Sequence, residues 1–207
     1  MVDELHNLVR VTKANTKPAA VTLAKAFQDY PESVYFMPDD VKRRKKQPSI
    51  YRMFLKGAIS DGEVYATSPK MEGVAVWQMV DGKHPAWRPG FSFGWWWLSL
   101  FTDRETNKRR EAYFKYIIAV RIRVTPERYW YLQALGVDPA YQGQGFSSRL
   151  LKPVLERAER QGLPCYLETQ LEKNIPLYKH FGFTVVEEVL IPGSNIHSWV
   201  MVRNNAR

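Results

Sequence analysis

Between Arg128 and Arg160 the hydrophobic period of the sequence changes once, and that change constrains the fold more than any other feature. Arg128 to Val137 is rich in aromatics, with Tyr129-Trp130-Tyr131 in a row, and reads as a strand running to Gly136-Val137. From Phe146 the apolar residues recur at helical spacing instead: Phe146, Leu150, Leu151, Val154, Leu155 and Ala158 form one stripe. Pro153 lies inside that stripe and is expected to bend the helix or move its boundary. Gly162-Leu163-Pro164 ends it, and Cys165–Thr169 reads as another strand.

The flanks extend the alternation. Asn7 to Thr12 reads as a short strand. A helical pattern starting near Pro18 carries Val21, Leu23, Ala24, Phe27 and Tyr30, and is expected to end at Pro31. Asp39 and Asp40 are candidate caps for a second helix that runs through the basic stretch Lys42–Lys46 and past Pro48 to about Ile59. Glu63–Ser68 and Gly73–Gln78 read as strands after the Asp61-Gly62 turn. Residues 81–92 read as a loop, with helical segments near 92–101 and 103–122. A short helix from Ile175 to Phe181 and two closing strands, Thr184–Leu190 and Ser198–Arg203, complete the order. With no repeat, low-complexity tract or linker, the expectation is an α/β fold: one domain, a mixed sheet with flanking helices.

Composition narrows the function classes. The 207 residues carry a formal net charge of +9, which suits a nucleic acid, an anionic membrane surface or a polyanionic small molecule without choosing among them. The basic run Lys42–Lys46 lacks aromatic interleaving or a known binding motif and reads as a solvated helix face, so no nucleic-acid partner is expected. The most apolar run, Phe91 to Phe101, is about half the length of a membrane span, and no membrane partner is expected. A single cysteine, Cys165, makes neither an internal disulfide nor a metal site; no metal is expected. The opening MVDELHNLVR lacks the apolar core of a secretory signal, and the expected location is the cytoplasm.

The chemistry concentrates in Leu135-Gly136-Val137-Asp138-Pro139-Ala140-Tyr141-Gln142-Gly143-Gln144-Gly145-Phe146-Ser147, where a strand ends and an amphipathic helix begins. A helix N-terminus presents unpaired N–H groups and a positive dipole end, and glycine admits a bulky anion close to the backbone. The residues alone therefore predict a phosphate or pyrophosphate site. A Walker lysine is absent, and the glycines stop at Gly145, short of a dinucleotide fingerprint. The competing reading is a glycine-rich turn without a ligand.

Val137-x-Pro139-x-x-Gln142-Gly143-x-Gly145-x-Ser147 resembles the acetyl-CoA signature of the GNAT superfamily of N-acetyltransferases, with Ser147 where glycine or alanine is usual. Asn174-x-x-x-Tyr178-x-x-x-Gly182-Phe183 resembles that superfamily's later helix and the strand after it. Ala26-Phe27-x-Asp29-Tyr30-Pro31, Leu167-Glu168-Thr169 and Asn174-x-Pro176 are similar to the puromycin N-acetyltransferase-like enzymes within it. The resemblance covers most of the last 80 or so residues and only patches before them. It implies a GNAT-like fold, with residues 1–125 mainly on the acceptor side and 126–207 forming the core that binds acetyl-CoA as co-substrate.

The resemblance also implies site roles. Backbone groups of Leu135 and Val137, flanking Gly136, would pair with the pantetheine arm. The N–H groups of Gln142, Gly143, Gln144, Gly145, Phe146 and Ser147 would hold the pyrophosphate, and Asn174 would touch the pantetheine. Tyr178 would protonate the leaving thiolate; a phenol's ordinary pKa lies near that of a thiol, which suits this role. The competing reading of Tyr178 is a core aromatic between Leu177 and Phe181. Glu168 is the candidate base for the amine; the competing reading is a strand-end carboxylate in solvent or paired with an arginine. His180 is expected in solvent.

Trp95, Trp96 and Trp97, with Phe91 and Phe93, put five aromatics into seven positions, which cannot all face one core on a helix. At least one of the three tryptophans is expected to border the acceptor cleft; burial of all three in a subunit interface would instead indicate a homodimer. The function expected is transfer of an acetyl group to a primary amine of a small molecule, an antibiotic among the candidates. Three alternatives stand beside it: acetylation of a protein lysine or N-terminus, a non-catalytic acyl-CoA sensor, and a nucleic-acid-binding module.

Overall fold

The computed structural model describes residues 4–82 and 104–204. Trp95, Trp96 and Trp97, with Phe91, Phe93 and the helical segment expected near 92–101, lie outside the described residues. Seven strands form one mixed sheet: β1 (Val9–Arg10), β2 (Glu63–Ala66), β3 (Gly73–Asp81), β4 (Arg128–Val137), β5 (Cys165–Thr169), β6 (Thr184–Leu190) and β7 (His197–Arg203), in the order β1-β2-β3-β4-β5-β7-β6. All neighbours pair antiparallel except β4 and β5. Six α-helices flank the sheet among the described residues: α1 (Thr16–Ala26), α2 (Pro31–Phe36), α3 (Asp40–Asp61), α4 (Arg104–Val124), α5 (Phe146–Arg160) and α6 (Ile175–His180).

The expected mixed α/β domain is the one found, and the bounds of β4, β5 and β6 coincide with the sequence reading. Four expectations are corrected. The first strand is two residues long and follows a 3-10 turn at Glu4–Asn7. Pro31 does not end a helix: α1 stops at Ala26, and Pro31 opens α2 at the first helical position, where a fixed φ and a missing N–H cost nothing. Pro153 does not set a boundary of α5, which is continuous from Phe146 to Arg160 with Pro153 buried in its apolar stripe. Arg43 departs from the solvated face expected of Lys42–Lys46. It is buried and donates to the carbonyls of Gln28, Met37 and Pro38 while pairing with Asp29 at 3.3 Å and Asp40 at 3.0 Å. That one guanidinium fastens the α1–α2 segment to α3.

Strand alternation sends successive side chains to opposite sheet faces. One face carries Val74, Val76 and Ala134 against Leu23 of α1 and Leu55 of α3. Val80, Tyr129 and Tyr166 extend this face to Val120 of α4. The other carries Ala75, Trp77, Leu132 and Leu167 against Leu150, Leu151, Val154 and Leu155 of α5 and Tyr178 of α6. A bulge in β4 links the two halves of this pattern. Val76 pairs with Ala134 but Trp77 pairs with Leu132, leaving Gln133 as the extra residue. Leu132 and Ala134, two apart, consequently face opposite sides.

Candidate active site

β4 and β5 pair only at Trp130↔Cys165 and Tyr131↔Tyr166, then diverge toward their C-terminal ends. β4 remains bonded to β3 along this stretch. The Asp138 N–H bonds to the Glu72 carbonyl at 2.8 Å, and antiparallel alternation then makes Val74–Gly136 the next bonded pair. Leu135 and Val137, between those positions, point their backbone N–H and C=O groups away from β3 into the gap. The Val137 carbonyl accepts from Gln142 Nε2 at 3.2 Å, in keeping with that direction. Two strands that start paired and then separate expose a ladder edge inside the molecule, where an extended, amide-bearing ligand is the natural complement.

The gap opens into a cavity of about 690 Å³. It crosses the sheet, because its lining includes Leu167, which faces α5 and α6, and Glu168, which faces the side covered by α4. On the α5 side the lining includes Gln142, Gly143, Gly145, Phe146, Ser147 and Ser148. Gly143 and Gly145 hold φ of +78° and +77°, and a Cβ built at either meets nothing within 4 Å. Gly145 is the N-cap of α5 and supplies no side-chain cap. The helix therefore opens with unclaimed N–H groups at a turn whose outer face is empty, an arrangement that fits a phosphate group. Gln144, expected among the anion-binding residues, does not line the cavity; Ser148, which the sequence reading passed over, does. Gly136 lines it too, but its lack of a side chain answers to packing: a Cβ there would lie 2.9 Å from Leu23 Cδ2 and 3.0 Å from Ala26 Cβ of α1.

Tyr178 and Asn174 reach the cavity from the α6 end. Asn174 Nδ2 donates to Thr169 Oγ1 at 3.3 Å, tying α6 to the tip of β5. Tyr178 is buried in the core, as its competing reading anticipated, yet it also lines the cavity and its hydroxyl has no hydrogen-bond partner among the described residues. Burial, with a smaller contribution from Tyr30, holds the phenol well above its ordinary range, so it is protonated at neutral pH. His180 is exposed, as expected.

Glu168 matches neither structural alternative. It is half-buried, lines the cavity and accepts from the Tyr131 hydroxyl at 2.6 Å, and no cation lies within ion-pair distance among the described residues. Burial raises its pKa, against the opposing pull of Arg121, whose guanidinium stacks 4.5 Å from the Tyr131 ring centroid. Tyr30 arrives from the α1–α2 connection, accepts from the Gln170 N–H at 2.9 Å and bonds Thr169 Oγ1 at 3.1 Å.

A sequence model of the acetyltransferase (GNAT) family matches residues 86–183, which include the α5 turn, Glu168, Asn174 and Tyr178. An uncharacterized N-acetyltransferase of Schizosaccharomyces pombe is 28% identical over 192 residues, 90% of this chain and 77% of that protein. The match to the acetyltransferase (GNAT) family thus spans just under half of the chain, and the relative is similar along most of it. The protein is an N-acetyltransferase, and solved structures share its fold. One from Corynebacterium glutamicum, described as histone acetyltransferase HPA2 and related acetyltransferase, superposes over 97% of each chain with a TM-score of 0.66 at 18% identity. PaiA N-acetyltransferase from Thermoplasma acidophilum, solved in complex with coenzyme A, covers 95% of this chain and 97% of its own with a TM-score of 0.56 at 10% identity.

Sequence reasoning expected residues 1–125 mainly on the acceptor side but did not name the cavity residues there, nor Tyr131 of β4. Glu32, Phe36, Tyr51, Arg110, Tyr113 and Tyr131 all line the cavity. Their signal in the sequence is faint, because each is an ordinary aromatic or charged residue whose proximity to Glu168 depends on how α2, α3 and α4 pack.

Proposed function

We propose that this N-acetyltransferase moves the acetyl group of acetyl-CoA to a primary amine of a small molecule. The observation that carries this reading is one cavity, crossing the sheet at the β4–β5 gap, that joins the uncapped α5 turn to Tyr178 and Glu168. Acetyl-CoA supplies the acetyl group already activated as a thioester. The backbone edge at Leu135 and Val137 pairs with the pantetheine arm, Asn174 touches it, and the turn from Gln142 to Ser147 holds the pyrophosphate by its N–H groups.

Glu168 accepts the proton that the acceptor's ammonium must lose before nitrogen can attack; the hydrogen bond from Tyr131 and the charge of Arg121 keep the carboxylate available for it. As nitrogen bonds to the acetyl carbon and the C–S bond breaks, Tyr178 donates its proton to the departing sulfur and later recovers one from solvent, while the acylated nitrogen loses its second proton to solvent. The net result is an N-acetyl amide, free coenzyme A thiol and one released proton. A small acceptor is favoured by the aromatic walls that α2, α3 and α4 raise over the Glu168 side, namely Phe36, Tyr51, Phe54, Tyr113 and Phe114. Cytoplasmic acetyl-CoA would serve the enzyme.

The test is amine-dependent thiol release from acetyl-CoA across a panel of primary amines, puromycin included because of the patches shared with puromycin N-acetyltransferase-like enzymes. Release with at least one small amine, and a product heavier by one acetyl group, supports the reading. Release only with lysine-bearing or free-N-terminal peptides would assign the acceptor to protein.

A further inference from the structure

The acceptor side of the cavity holds a second carboxylate. Glu32, in the first turn of α2, lines the cavity with Glu168. It accepts from the Tyr113 hydroxyl at 3.3 Å, as Glu168 accepts from that of Tyr131. Neither carboxylate has an ion-pair partner among the described residues, and Glu168 Oε2 has no hydrogen-bond partner there. The two feel each other's charge: Glu168 is the largest influence on Glu32 after burial. Three tyrosine rings, Tyr30, Tyr113 and Tyr131, sense both acids.

Two carboxylates in one enclosed, aromatic-walled space repel each other and lose hydration, so the empty pocket carries a standing electrostatic cost. The cations near them are unevenly placed: Lys173 also lines the cavity, but it is exposed and outside ion-pair distance of either carboxylate. Arg121 stacks behind Tyr131 and offsets Glu168; it is not part of the cavity lining. Arg110 lines the cavity, lies over the Phe36 ring at 5.3 Å and bonds Asn107 Oδ1; of the groups acting on Glu32 it is the weakest. Arg43, also in the lining, is committed to Asp29, Asp40 and three backbone carbonyls. Of the two carboxylates, Glu32 is therefore the less compensated. A Lys-like ammonium between tyrosine and phenylalanine faces and a carboxylate is well held by charge and by the ring quadrupoles.

Resting on the reading that this cavity accepts an amine, we infer that the acceptor carries two basic nitrogens: one is acetylated beside Glu168 and Tyr178, and the other binds as an ammonium at Glu32. Glu32 is thus a specificity-determining residue that selects aliphatic diamines and their longer analogues over monoamines. It exchanges no proton in the transfer; its carboxylate pairs with the distal ammonium while the alkyl chain lies along Phe36, Tyr113 and Phe114.

The experiment compares kcat/KM for a homologous set of α,ω-diamines with those for n-alkylamines of equal length, in the wild-type protein and in Glu32→Gln and Glu32→Asp. The wild type is expected to prefer the best diamine at least 10-fold over its monoamine, through KM. Glu32→Gln, which keeps size and the Tyr113 hydrogen bond, should abolish that preference, and Glu32→Asp should restore part of it. Calorimetric titration of the best diamine into the coenzyme A-saturated protein gives a readout independent of turnover. Tight diamine binding lost in Glu32→Gln but without acetylation would sustain the dication site and remove the proposed reaction. Amine acetylation with no diamine preference, or with a preference that Glu32→Gln leaves intact, overturns the inference and leaves the reaction standing. Neither diamine binding nor turnover overturns both.

Discussion

At the scale of single residues, Tyr178 and Glu32 are both displaced from their ordinary acid–base ranges by burial, with opposite uses. Tyr178 stays protonated, and its hydroxyl has no hydrogen-bond partner among the described residues, which suits the donor role proposed for it. Tyr178→Phe is expected to lower kcat by about 10²–10⁴-fold with little change in acetyl-CoA affinity, because only the proton donor is removed. Stopped-flow turnover and equilibrium binding measure the two quantities; an unchanged kcat with chemistry rate-limiting would leave Tyr178 a packing residue. Glu32 is pushed up to about 7, chiefly by burial and then by Glu168, while the Tyr113 hydrogen bond and Arg110 oppose the shift. The unfolded chain's carboxyl titrates near its ordinary value of about 4.3. Between those two values the native state binds more protons at this site than the unfolded state, so stability falls as pH rises through the window. Glu32→Gln removes that loss. The variant is expected to match the wild type near pH 4.5 and to exceed it by about 1–3 kcal/mol at pH 8 in urea titrations. An equal difference at both pH values would contradict this account.

At the scale of elements, two glycines that look alike in the sequence do different work. Gly145 caps α5 in a left-handed conformation with open space beside it, whereas Gly136 lets α1 lie directly on β4. Gly145→Val should cost about 1–2 kcal/mol from the backbone conformation alone, leave the protein folded, and raise the acetyl-CoA dissociation constant strongly by filling the place of the pyrophosphate. Calorimetry on the folded variant checks this, and unchanged affinity would remove the phosphate site from the α5 turn. Gly136→Val should instead lower the unfolding midpoint more than Gly145→Val does, because its side chain meets Leu23 and Ala26 of a packed helix. The β4 bulge at Gln133 is an element-scale device of the same kind: it reverses the facing of β4 part-way along, so that Tyr131 supports Glu168 while Leu132 packs toward α5.

At the scale of the whole molecule, the gap between β4 and β5 would be a weakness if nothing spanned it. Tyr30 spans it. Its chain segment is anchored on the β3–β4 side through α1, and its hydroxyl is shared between Thr169 and the Gln170 N–H at the tip of β5. Tyr30→Phe breaks both bonds and leaves the Gln170 N–H without a partner, while Thr169 Oγ1 keeps its bonds from Asn174 and Leu171, an expected loss of about 1–3 kcal/mol. Amide hydrogen exchange should accelerate at Gln170 and Leu171 before it does in β3. Exchange rates unchanged at those positions would show that the two halves of the sheet are held together elsewhere.

The strand–turn–helix run from Arg128 to Arg160 and the Asn174–Tyr178 segment were legible in the sequence because each is written in consecutive residues. Period, glycine spacing and helix start are local properties, and local physics sets them whatever surrounds them. The same locality explains the misreadings: Pro31 is judged from the sequence as a helix end and Pro153 as a bend or boundary, yet Pro31 starts a helix, where it costs nothing, and Pro153 lies inside a continuous one. What only the tertiary structure decided is the acceptor side. Glu32 and Glu168 are far apart in the chain, and their likeness of charge, shared tyrosine support and lack of ion-pair partners arise from where α2 and α4 settle over the sheet. A sequence carries no term for the field of one distant carboxylate on another; that interaction exists only once folding has removed the water between them.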